Sequence, residues 1–116
     1  MNYGQKADEL TARADSRRRT LREAAIEDSV GVDDLARMVN DIADAEGQAH
    51  VYAIAAHVNG KDGWASQADA DAAIREWVTS LLTAGADDTW SGRTNDAKRA
   101  HWDGIRTAAG DVLRGL

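Results

Sequence analysis

Glu46, His50 and His57 fall on one line of a helical segment, at steps of four and seven residues. A carboxylate and an imidazole four residues apart on a helix can share a metal ion. His57, however, lies two turns beyond His50, about 10 Å further along the axis. One ion cannot take both histidines, so a metal site would need a ligand from elsewhere, such as His101 or a second chain. Glu46 and His50 alone make a weak candidate. These side chains are expected to rim the core or pair with charged neighbours, and no metal or cofactor is expected.

The second constellation is the arginine run Arg13, Arg17, Arg18, Arg19 and Arg22. Residues 1–22 carry a net charge of +3 and residues 23–62 one of −7. Arginines supply the salt-dependent part of nucleic-acid binding, which makes Arg13, Arg18 and Arg22 candidates for phosphate contact. Successive residues point 100° apart around a helix, so Arg17, Arg18 and Arg19 cannot form one flat patch. With a net charge of −6 overall, pairing with the acids of the next segment is the favoured use of these side chains. Those acids (Glu27, Asp28, Asp33, Asp34, Asp41, Asp44 and Glu46) could also imitate a row of phosphates, although helix capping already accounts for the ones at a helix start.

Tryptophan supplies the third feature. Trp64 and Trp90 sit beside Gly63 and Gly92 in segments that helical periodicity does not reach. A loop tryptophan either folds over a helix end or serves as an anchor for a binding partner. Trp64, Trp90, Asp87, Asp88 and Arg93 are therefore the candidate residues for protein contact, whereas Trp77 and Trp102 are expected in the core. Signatures of catalysis are missing: there is no Gly-x-Ser-x-Gly, no phosphate-cradling glycine loop and no His-Glu-x-x-His. No enzymatic activity is expected.

Four helical segments must position these groups. The first spans about Gly4 to Asp28 on a narrow seam of Tyr3, Ala7, Leu10, Ala14, Leu21 and Ala24, with Arg17 interrupting. The second starts with Asp33 as cap and ends at a left-handed stop, Asn59-Gly60. The third opens at Ser66, with Asp69 three residues on. It buries Ile74, Trp77 and Val78 and ends at Gly85. The last is capped by Thr94 or Asn95 and contains Gly104 and Gly110, which permit either close packing or a break. The expectation is an all-α, four-helix single domain over residues 1–116, an antiparallel bundle or a set of helical hairpins.

Leu, Ile, Val and Phe make up only 19 of 116 residues, about 16%, so alanine must line the helices. Each buried alanine removes little apolar area from water, at about 25 cal/mol per Å². A domain so thinly cored gains by covering surface with a partner, and a homo-oligomer is expected. There is no cysteine, and no apolar run approaches the ~18 residues of a membrane span; a cytoplasmic address without membrane contact follows. Eleven arginines against three lysines suggest a GC-rich coding genome. The reading is a small acidic binding protein that works by protein–protein contact, as a regulator, inhibitor or accessory protein of a bacterium, its phage or a mobile element. Two alternatives stand beside it: a nucleic-acid-associated regulator using Arg13–Arg22, and a structural subunit of a larger assembly such as a phage connector.

Overall fold

With no proline and alanines in every helix, little in this chain interrupts a helix once it has started. A computed structural model describes residues 2–27, 30–84 and 95–116. It consists of α1 (Tyr3–Ile26), α2 (Val32–Asn59), α3 (Gln67–Ala84) and α4 (Asn95–Gly115), with no strand among the described residues. The all-α, four-helix architecture is thus as expected.

The helix ends show how local chemistry sets the boundaries. The Asn2 side chain accepts from the Gln5 amide at 2.9 Å and starts α1. Ser66 Oγ accepts from the Asp69 amide at 3.2 Å and starts α3, as its sequence suggests. Two expected caps are different. α2 begins before Asp33, at Val32 behind Gly31, without a side-chain cap, and Asp33 and Asp34 occupy its first turn. There they still oppose the positive end of the helix dipole. Gly60, at φ −84°, is not left-handed; its amide closes the helix on the Ala56 carbonyl. The positive φ, 101°, falls on Gly63 instead.

α2 is the central element, flanked by α1 and α4 and touched more lightly by α3. α1 runs antiparallel to it: Tyr3 and Gly4 lie near Ala56 and Asn59, Arg17 near Asp41. α4 runs parallel to α2, because His101 meets Ala43 and Asp111 meets Tyr52. This pair is not consecutive: α3 intervenes in the chain and brings α4 back in the direction of α2. The molecule measures 58 × 25 × 21 Å with a radius of gyration of 16.0 Å, against about 13 Å for a rounder chain of this length.

Two glycines set the α2–α4 distance. A Cβ at Gly47 would overlap the carbonyl oxygen of His101 and come within 3.1 Å of the Ile105 nitrogen. A Cβ at Gly104 would overlap the Asp44 carbonyl oxygen. The two backbones thus touch directly, and Ala43 and Ala108, each one helical turn away, are fully buried. Further along, Val51, Tyr52, Ala55 and Val58 of α2 join Ile105, Ala109 and Val112 of α4, Ile74 and Val78 of α3, and Leu10 of α1. More than half of the buried apolar residues are alanines, so closeness of approach stands in for bulk. The Tyr52 hydroxyl finds Asp111 at 3.3 Å; burial first, and that carboxylate second, push its pKa up to about 12.

Trp77 departs from the core placement expected for it. α3 buries only the narrow line Ala70, Ile74 and Val78, which leaves the indole at its edge, 54% exposed. Trp102 is half-buried against the main core.

Gly104→Ala and Gly47→Ala should each destabilise the fold by about 2–3 kcal/mol, the cost of overpacking where backbone cannot give way. A Cβ at Gly110 meets only the flexible Arg114 guanidinium, 3.5 Å away, so Gly110→Ala should gain up to about 1 kcal/mol in helix propensity. Urea unfolding of the three variants distinguishes them, and equal effects would remove the close crossing from the account.

Candidate functional site

The side chains singled out on α2 line an open groove of about 460 Å³ between α1 and α4. α1 supplies Thr11 and Arg18, α2 supplies Glu46, His50 and Ala53, and α4 supplies His101. The floor is small because Ala14, Ala49 and Ala53 stand where larger side chains would fill it. α1 and α4 hold different sides of α2, so the strip between them stays uncovered.

Charge closes one side of this groove. Arg18 bonds Asp15 on its own helix at 3.0 Å and reaches across to Glu46 on α2. Arg17 pairs with Asp41 at 3.1 Å, which explains why the apolar seam of α1 tolerates an arginine at that position. Both interhelical pairs are partly exposed, and such pairs contribute at most about 1 kcal/mol each. Their geometry does more than their energy: they set the register of α1 on α2.

The imidazoles form the other side. His101 is 6% exposed, and its Nδ1 lies 3.2 Å from the Ala43 carbonyl oxygen. A carbonyl can only accept, so the proton sits on Nδ1. Burial lowers the His101 pKa, with nearby His50 acting in the same direction and the Ala43 carbonyl partly opposing both. His50 stands at the exposed rim of the groove, where partial desolvation lowers its pKa as well. The groove therefore presents two imidazoles held towards the neutral form beside a carboxylate already engaged by arginine.

The structure gathers some of the expected residues and separates others. Glu46 and His50 share the groove with His101, whereas His57 is exposed and stands outside it. Among the described residues no three of His, Cys, Asp and Glu converge to hold a metal ion. Of the phosphate candidates, Arg18 is engaged by Asp15 and Glu46. Arg13 and Arg22 are exposed, and nine residues of helix turn them to opposite sides of α1. Trp64 folds back over the end of α2, its indole donating to the Val58 carbonyl at 2.8 Å, and stays 38% exposed. Trp90, Asp87, Asp88 and Arg93 lie outside the described residues.

Two features escaped the sequence reading. One is the α2–α4 crossing, although Ala43-x-x-x-Gly47 and Gly104-x-x-x-Ala108 have the small-residue spacing that close helix pairs use. The other is exposed Trp77, with Ala73, Glu76 and Ser80 around it. No helix among the described residues is long and apolar enough to cross a membrane. Compared with protein-family models, curated proteins and solved structures, the chain matches none.

The lowered imidazole pKa values carry a sign. As pH falls below the ordinary imidazole value of about 6.5, the unfolded chain takes up protons before the folded one does. Stability is therefore full above that value and declines as pH drops towards the folded-state pKa. The melting temperature should fall on mild acidification, and His101→Gln should flatten the dependence. A slope unchanged in both His101→Gln and His50→Gln would show that these rings are not desolvated in the folded protein.

Proposed function

We propose that this chain is a non-enzymatic binding protein that acts by contact with another protein, as a regulator, inhibitor or accessory factor in the cytoplasm of a bacterium or its phage. One observation carries the reading: large apolar side chains stand outside a core made mainly of alanine. Trp77 is 54% exposed, Ile26 83% and Val32 81%, in a chain with few bulky aliphatic residues to spare. Tryptophan concentrates binding energy because it buries a large area and keeps one donor. Trp77 on α3 and the half-open Trp64 beside the end of α2 are the anchors of choice. The groove supports a binding role in a second way, since its carboxylate is neutralised by Arg18 and its imidazoles are held towards neutrality.

Phosphate contact is the weaker reading. Arg17 and Arg18 are committed to acids of the same chain, and Arg13 stands on the side of α1 opposite Arg22, which leaves only Arg19 and Arg22 to share a face. Self-association belongs to the proposal too, for a thin core gains most from further burial.

The test uses the tagged full chain as bait in extract of the source cells, with bound protein and nucleic acid both assayed. A protein partner should be retained, and Trp77→Ala should reduce its recovery at least about tenfold without changing the helical circular dichroism. Recovery of nucleic acid alone, or capture indifferent to both Trp77→Ala and Trp64→Ala, overturns the proposal.

A further inference from the structure

α4 starts at Asn95, six residues ahead of His101. Since His101 stands level with Ala43, the parallel register puts the first turn of α4 level with about Arg37. Beyond that point the last turns of α1 and the first turns of α2 form a two-helix hairpin, with no third helix across it among the described residues. Two helices alone cannot enclose a core. Accordingly Leu21, Leu35 and Met38 are only half-buried, while Ile26, Val32 and Val39 are 83%, 81% and 38% exposed. Val32 and Val39 are two turns apart, and two further turns lead to Glu46, so this uncovered strip runs straight into the groove.

Apart from Glu23, exposed beside Arg22, the unpaired charges among the described residues of the same hairpin are self-complementary. Arg19 and Arg22 on α1 are exposed and have no ion pair among the described residues. Glu27 and Asp33, at the tip, are likewise exposed and unpaired among the described residues. Following the α1–α2 register, the basic pair sits one to two turns further in than the acidic pair. A two-fold axis across the hairpin, between the two sets, carries each basic pair onto the acidic tip of the other copy. Such an interface satisfies itself twice, as isologous contacts require. The same operation sets Val32 against Val39 of the partner subunit.

We infer that a second copy of this chain docks antiparallel on the α1–α2 hairpin, so that the two hairpins complete a four-helix bundle. The inference rests on the reading of the chain as a protein that acts by contact, and it identifies one such contact.

The purified full chain is examined by light scattering and sedimentation equilibrium across the micromolar range, at low and high salt. A dimer is expected, weakened by salt because its charges sit at an exposed rim. Val32→Asp with Val39→Asp should give a monomer of unchanged helicity. Arg19→Glu with Arg22→Glu should also give a monomer, as should Glu27→Lys with Asp33→Lys in a separate chain. Mixing those two charge-reversed chains should restore a dimer, because every contact across the axis is then attractive. A wild-type chain that stays monomeric, or a dimer indifferent to the valine substitutions, overturns the inference. So does a dimer that survives both reversals, or a mixture of the reversed chains that fails to associate. A monomer leaves the binding of a different protein at Trp77 untouched, because Trp77→Ala reports on that contact separately.

Discussion

The backbone contact between α2 and α4 is the constraint from which the other features follow. Helices lined by leucine hold their axes 8–10 Å apart and fill the gap with side chains. Here Gly47 and Gly104 leave nothing in the gap, and the carbonyls of His101 and Asp44 occupy the space a Cβ would need. Close approach lets alanines touch that would otherwise face a void. It also fixes register without slack, since a shift of one residue would drive a side chain into backbone. From that register come the His101–Ala43 hydrogen bond, the Tyr52–Asp111 contact, and the level along α2 at which α4 begins.

α1 is held by a different kind of contact. Its buried residues are Ala7, Leu10, Ala14 and Ala24, a strip too narrow to resist sliding by shape alone. Arg17–Asp41 and the Arg18 clamp on Glu46 add direction to it. Being half-exposed, these pairs contribute little stability, yet they discriminate between registers by placing unlike charges opposite each other. The Glu46 carboxylate is thereby used in structure, which leaves the imidazoles as the groups in the groove whose charge responds to mild acid.

Helical periodicity was enough to read the four helices, because apolar residues at spacings of three and four are local information. The cap at Ser66 was legible for the same reason. What could not be read was tertiary. The cap of α2 moved because Val32 had room to extend the helix, and Gly60 needed no left-handed turn because the Trp64 indole covers a terminal carbonyl of α2. Trp77 lies at helical spacing from Ala73, Ile74 and Leu81, so the pattern placed it inside; the width of the α3 contact, which no periodicity encodes, left it out. Of the site, Glu46 and His50 were singled out by spacing. His101, 51 residues further along the chain than His50, joins them only because two glycines far apart in sequence bring α2 and α4 together.

The distribution of bulk gives these observations a common direction. A large apolar side chain contributes to its own fold only when water leaves it, at about 25 cal/mol per Å². Ile26, Val32 and Trp77 contribute little of that to the isolated chain, while the buried positions are held mostly by alanine. The two exposed regions also differ in support. The hairpin tip lies beyond the start of α4 with its own half-buried residues unfinished, whereas α3 is anchored at the opposite end of α2, where Gln67 bonds Asn59 at 2.8 Å. Covering the first would complete a core; covering the second would only add to one. A surface that completes a core favours a copy with the same deficit, and a surface standing on a finished core suits a partner of different sequence. The same thinness that makes alanine helices lean on close backbone contact inside thus leaves two exposed apolar regions of different character outside.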